Sequence, residues 1–284
     1  MRRLLLLIIA LATLLPSLAQ AYDVLVLQSR RDPGYEEVLK GFRTGNNPSE
    51  RVIVMSDYAE VDVVRIVREE RPKVILAVGD AALAATSGVK STPVVAVMTL
   101  GIHSRKALPA TLTGIGMYAP SESYMELFRA MKVNRVGVLF SSAKSGWYLQ
   151  SAQIAARNAG IELVTCEVSS SRDTLEQLSS LAGKVDALWM LPDTTAVTRE
   201  TVEAYFRFGQ QQAVPVVSFA ANYLGLGAAA VIEIDRFALG RQVDAMIAAQ
   251  LNGAGSGSEL PAYPKTFTLK TNHGVLNNLG IALK

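Results

Sequence analysis

Asp193, Thr194 and Thr195 follow "LWMLP", so a carboxylate and two hydroxyls stand where a stretch suited to burial stops. The carboxylate could pair with an ammonium or accept from a hydroxyl, and each threonine both donates and accepts. Comparable groups close the other apolar runs. Gln28, Ser29 and Arg30 follow "DVLVL", Gly79 and Asp80 follow "KVILAV", and Thr99 ends "TPVVAVMT". Ser141 and Ser142 follow "RVGVLF", Ser218 lies within "VPVVSFA", and Asn222 and Tyr223 come just beyond it. Trp147, Tyr148 and Phe219 add candidate aromatic walls. Together these groups suit the enclosure of a small polar molecule. Each also suits plain structural work. Asp80 before "AALAAT", and Ser141 and Ser142 before the next helical stretch, fit helix caps; Trp147 fits core packing; Arg30 fits a solvated loop.

Catalytic chemistry has less to stand on. The two histidines, His103 and His273, have no second His, Cys or closely spaced carboxylate at a metal-ligand spacing. There is no G-x-S-x-G elbow and no Walker loop. "GLGAAA" (Gly225, Gly227, Ala230) matches the loose G-x-G-x-x-A string, but it precedes a strand-like run instead of opening a helix, and it reads as a hinge. Asp193 and Asp80 would serve as an acid and base pair only with tuned pKa values within reach of one substrate. The expectations are therefore no enzyme, no cofactor and no metal. Cys166 is the only cysteine, which excludes an intramolecular disulfide; within "IELVTCEV" it reads as a small buried hydrophobe.

The elements that must position these groups are legible as nine short apolar runs: "DVLVLQ", "RVIVMS", "KVILAVG", "TPVVAVMT", "RVGVLFS", "IELVTCEV", "VDALWML", "VPVVSFA" and "AAVIEI". Their near-continuous apolarity is what parallel strands buried on both faces require. Helical spacing lies between them, as in "GYEEVLKGF" with Val38, Leu39 and Phe42 on one stripe, and "RDTLEQLSSLAG" with Leu175, Leu178 and Leu181. Ser123 and Glu126 read as a capping box, and Gly160 and Gly183 as helix C-termini. Alternation of strand and helix makes the class α/β. Three stretches with hinge or linker chemistry interrupt it: "GMYAPSES" from 116, "ANYLGLGAAA" from 221 and "NGAGSGSELPAYP" from 252. Four strand candidates precede the first and four more lead to the second, a pattern of two similar lobes joined by more than one crossing.

The chain has 284 residues, half of them hydrophobic and 19% charged, enough for two packed lobes. Arg2 and Arg3, an apolar run from Leu4 to Leu15 and Ala19-Gln20-Ala21 read as a cleavable signal peptide over 1–21, with a periplasmic product. The apolar run is shorter than the roughly 20 residues needed to cross a bilayer, and no later segment reaches that length, so stable membrane insertion is not expected. Loss of Arg2 and Arg3 takes the formal charge from +3 to +1, which gives no electrostatic case for a nucleic acid partner.

"VNRVGVLFSSAKSGWYLQSAQIAARNAGIELV", "SLAGKVDALWMLPDTTAV", "VPVVSF" and "GRQVDAMIAAQLNG" resemble the ABC-transporter substrate-binding family whose better-known members bind tryptophan, tyrosine or phenylalanine. The resemblance implies a type I periplasmic binding fold: two Rossmann-like lobes, a three-stranded hinge and a ligand enclosed between lobes that close on it. It implies lobes of 22–117 plus 226–255 and of 118–225 plus 256–284. It assigns the ligand's polar head to Asp193 and Thr194, carries Ser141 and Ser142 over, and makes Thr99 a further contact. It also implies the partners: a small-molecule ligand, then an inner-membrane ABC permease with its ATPase, or a membrane sensor in the alternative reading. Asp193→Ala is expected to weaken ligand binding by about 2 kcal/mol or more with the fold intact.

Overall fold

The computed structural model of the protein describes residues 22–103, 109–253 and 261–283, so the expected signal peptide lies outside the described residues. The first lobe runs β1 (Val24–Gln28), α1 (Pro33–Arg43), β2 (Glu50–Val54), α2 (Val63–Glu70), β3 (Val74–Val78), α3 (Asp80–Ala85), β4 (Val94–Thr99) and β5 (Leu112–Gly116). Its sheet has the order β2-β1-β3-β4-β5, with every pair parallel. β1 and β3 are buried at every position, as apolar strands covered on both faces must be. α1 begins where the Asp32 side chain accepts from the Gly34 N–H and Pro33 sets the first turn, and it buries the expected Val38, Leu39 and Phe42.

The second lobe runs α4 (Ser121–Ala130), β6 (Arg135–Phe140), α5 (Gly146–Ala159), β7 (Glu162–Glu167), α6 (Ser171–Ser180), β8 (Ala187–Trp189), α7 (Val202–Gln212), β9 (Val216–Ser218) and β10 (Ala230–Ile234). α8 (Arg236–Leu251) then returns to pack along α1 of the first lobe, and β11 (Phe267–Thr271) and α9 (His273–Asn278) finish in the second. The second sheet has the order β11-β10-β9-β8-β6-β7 and is antiparallel only at β10 and β11. Without the β11 edge, the two sheets share one strand order. In each, the order reverses beside the first strand, so ligands are expected outside the carboxyl ends of β1 and β3 and of β6 and β8.

The chain crosses between lobes three times: after β5 at 117–120, at Asp235 between β10 and α8, and near Ala262, which bridges to Ile115 before β11. These are the two Rossmann-like lobes and the hinge of the type I periplasmic binding fold. The division differs from the expected one at β10. Residues 226–255 were assigned to the first lobe, yet β10 pairs with β9 and β11, and only α8 joins the first lobe. The crossing falls at Asp235, the N-cap of α8, and not in the glycine-rich stretch before it.

"ANYLGLG" is a 3-10 turn (Ala221–Leu226) ended by Gly227 at φ 114°, inside the second lobe and not a hinge. The stretch from 252 lies partly outside the described residues. β5 and β11 were not anticipated. Ser123 lies inside α4, which starts two residues earlier behind Pro120, so no capping box forms there. Leu175 is exposed on α6 whereas Leu178 and Leu181 are buried. Gly160 caps α5 in the left-handed conformation, as expected, and Gly183 also takes positive φ. Cys166 is half-buried in β7, packed on the second-lobe core, and burial pushes its thiol up.

Candidate ligand-binding cleft

A cleft of about 420 Å³ opens between the lobes at the carboxyl ends of the strands. The first lobe contributes Arg30, Tyr35, Asp80, Met98 and Leu100; the second contributes Pro192 to Thr194, Phe219 and Tyr223. Met117 lines it from the first crossing, and Glu233 at the end of β10 and Arg236 at the start of α8 line it from either side of the second. A second compartment of about 300 Å³ shares Asp80, Leu100, Pro192 and Thr194 with the first and adds Tyr118 and Lys144. Tyr118 donates its hydroxyl proton to the Pro192 carbonyl at 3.0 Å, tying the first crossing to the loop after β8.

Asp193 is only 2% exposed, and its carboxylate is already filled. Oδ2 accepts from the Ser141 N–H at 2.8 Å and from the Ser145 hydroxyl at 2.5 Å. Oδ1 accepts from the N–H groups of Thr195 at 2.8 Å and Ala196 at 3.1 Å. Four donors match the capacity of a carboxylate, so this side chain fastens the loop after β8 to the start of α5. It presents Thr194, which is exposed and lines both compartments. Ser145, just before α5, was missed by the sequence reading. Its only signal was its place before the helical "GWYLQSAQI".

The remaining anticipated residues divide between wall and support. Phe219 and Tyr223 stand edge to face at 5.3 Å on the wall. Arg30 is there too, bonded to Asp32 at 2.9 Å. Gln28 is buried and donates to Glu36 at 3.0 Å. The Ser29 hydroxyl donates to the Val78 carbonyl and accepts from the Ala82 N–H, locking β1 to β3 and α3. Gly79 holds φ 92°, and a Cβ there would fall 2.3 Å from the Tyr35 hydroxyl. Ser141 is buried behind Asp193, while the Ser142 hydroxyl donates to Glu167 and Asn222 is exposed; neither Ser142 nor Asn222 lines the two compartments. Thr99 and Ser218 are fully buried at the ends of β4 and β9, with hydroxyls lacking a partner among the described residues. Tyr148 is buried with its hydroxyl on the Ala119 carbonyl.

Trp147 lines neither compartment. It stacks on His103 across the lobes, with ring centroids 4.2 Å apart and planes 10° apart, and meets Tyr118 edge-on at 4.9 Å. Tyr263, beside the third crossing, flanks the other side of His103 at 5.5 Å. Burial pushes His103 down to about 4, so the ring is neutral at pH 7. A depressed histidine adds no penalty above its unfolded value near 6.5, and stability is lost as pH falls from there toward 4. With allowance for partial exposure, the expected loss is about 2 kcal/mol. Urea unfolding at pH 7 and pH 4.5 checks this: the wild type should lose more stability than His103→Gln.

Charge in the cleft is mostly paired. Burial pushes Glu233 up, but the Lys270 ammonium and the Ala221 N–H outweigh that and hold it below the usual carboxylate range. Arg236 lies between Glu233 and Glu37 at 3.8 and 3.6 Å. Burial raises Tyr35 and Tyr223. No group of three or more His, Cys, Asp or Glu suited to a metal exists among the described residues, and no helix there is long and apolar enough to cross a membrane.

The chain is 23% identical over 150 residues to a tyrosine-binding protein of Clostridioides difficile; that stretch is 51% of this chain and 43% of the relative, so less than half of the relative's length is matched. Among solved structures, it is similar to an ABC domain from Streptococcus pneumonia in complex with L-Trp, at 20% identity and a TM-score of 0.64, covering 92% of this chain and 95% of that one. The ligand-free, open structure of a substrate binding protein with adhesive properties from Clostridium difficile superposes with a TM-score of 0.68 at 18% identity, covering the same shares, 92% and 95%. At these identities the structures establish the fold. The pattern of the family described as ABC transporter substrate binding protein, which is not an enzyme family, matches residues 32–284, and the chain belongs to that family.

Proposed function

We propose that this protein is the exported receptor of an ABC importer and that it encloses an amino acid with an aromatic side chain between its lobes. The observation that carries the reading is the composition of the cleft. Rings and thioethers, Phe219, Tyr223, Met98 and Met117, stand beside charges of both signs, Arg30, Arg236 and Asp80. A ring joined to an ammonium and a carboxylate matches that lining. The tyrosine-binding relative and the neighbour crystallised with L-Trp support the choice of ligand class. Ligand that touches both lobes binds the closed form better than the open one and shifts the population toward it. The closed receptor then delivers its cargo to an inner-membrane permease powered by an ATPase. The leader-like residues 1–21 support export.

Thermal unfolding against amino acids, nucleosides and sugars tests the reading. An aromatic amino acid at about 100 times its dissociation constant should stabilise the protein by roughly 2.7 kcal/mol and raise the midpoint visibly. A raised midpoint with a sugar or nucleoside, and none with any amino acid, would overturn the ligand class.

A further inference from the structure

We infer that Asp80 is the ligand's counter-charge: it receives a positively charged amine where the two compartments of the cleft meet, so the receptor discriminates by that amine. The inference rests on the reading of the cleft as the ligand site.

Geometry singles this residue out. Asp80 and Asp193 are both carboxylates of the cleft wall, but Asp193 is saturated by four donors of its own lobe. Asp32 and Glu233 are paired with Arg30 and Lys270. Asp80 has no cation partner among the described residues, is exposed, and lines both compartments. Its oxygens accept one N–H each, Oδ1 from Gly101 at 2.9 Å and Oδ2 from Leu100 at 3.2 Å. Each oxygen keeps an acceptor position for a donor arriving through the cleft.

The carboxylate is also held in place before any ligand arrives. Gly79 turns the chain at φ 92° into a space where a Cβ would strike the Tyr35 and Ser29 hydroxyls. The Ser29 hydroxyl, taking the Ala82 N–H, fixes the next turn, and a Cβ on Gly101 would come within 3.1 Å of Oδ1. Asp80 is thus aimed from behind by β1 and from the side by the loop after β4, which lowers the ordering cost of binding. Rings on both sides sense the charge: behind burial, Asp80 contributes to raising Tyr35 and Tyr118.

The test is calorimetric titration of L-tyrosine, L-tryptophan, tyramine and tryptamine, with 3-(4-hydroxyphenyl)propionate and indole-3-propionate as partners lacking the amine. Wild-type protein should bind the amino acids at least 10-fold more tightly than the acids without the amine. A charge-assisted hydrogen bond corresponds to a loss on the order of 10- to 100-fold for amine-bearing compounds in Asp80→Asn, with little change for the others. Asp80→Glu, which keeps the charge, should retain the preference and serves if Asp80→Asn does not fold. Wild-type binding that ignores the amine, or unchanged amine affinity in folded Asp80→Asn, overturns the inference and leaves the receptor reading standing. Failure of the wild type to bind any of the six compounds overturns the aromatic amino acid reading, and this inference with it.

Discussion

Asp193→Ala is expected to lower the stability of the protein by about 3 kcal/mol, with weaker ligand binding as a consequence of a displaced loop. Removal of the carboxylate leaves the Ser141, Thr195 and Ala196 N–H groups and the Ser145 hydroxyl without their acceptor. Each buried donor left unsatisfied costs roughly 1–3 kcal/mol, and the adjoining cleft lets water recover part of that. Asp193→Asn keeps the shape and one carbonyl acceptor but sets an NH₂ against the Ser141 N–H, so about 2 kcal/mol is expected. Urea unfolding followed by tryptophan fluorescence reads both variants, since Trp147 and Trp189 lie in the same lobe as the loop. The sequence alone suggested binding loss with the fold intact. An alanine variant of wild-type stability that no longer binds would restore that direct contact and remove the positioning role. The largest difference between the two pictures lies in the unliganded protein.

That difference shows what a linear reading can and cannot reach. The loop after β8 was legible because "LWMLP" must stop being buried somewhere, and ligand loops of open parallel sheets sit at strand ends. The saturation of Asp193 was not, because its donors on Ser141 and Ser145 come from 52 and 48 residues away. A comparably long separation in sequence hid the stack of His103 on Trp147. β1, β3, β6 and β8 announce themselves by apolarity. β5, "LTGIG", does not, because its glycine at 114 is dictated by a neighbour: a Cβ there would fall 2.2 Å from the Ala96 carbonyl. β11, "FTLKT", is an exposed antiparallel edge whose polar residues face solvent, so its composition carries little strand signal. Asp80 was legible as a polar group at a strand end, but its suitability as a cap was the competing reading. Gly79 holds the N-cap position of α3, and the Asp80 side chain bonds instead to the loop after β4.

Gly240→Ala is expected to cost about 3 kcal/mol, although alanine is the better helix former by roughly 1 kcal/mol. α1 and α8 meet backbone to backbone at this point. A Cβ on Gly240 would lie 2.0 Å from the Val38 carbonyl oxygen and 2.9 Å from the Gly41 Cα, and a Cβ on Gly41 would lie 2.0 Å from the Phe237 carbonyl oxygen. Backbone cannot rotate out of the way as a side-chain tip can, so the helices must part. Separation opens the core that Val38, Leu39 and Phe42 share with Leu239 and Val243. For a chain of this size that loss corresponds to a midpoint lowered by roughly 6–12 °C in thermal unfolding. The effect should reach the cleft as well, because α8 starts at Arg236, directly after the second crossing, and Arg236 lines the cleft while contacting Glu37 of α1. A midpoint equal to or above that of the wild type would mean that helix propensity outweighs the clash and that α8 can shift on α1 at little cost. In that case the second crossing would be anchored to the first lobe by Arg236 and its partners, and not by helix packing.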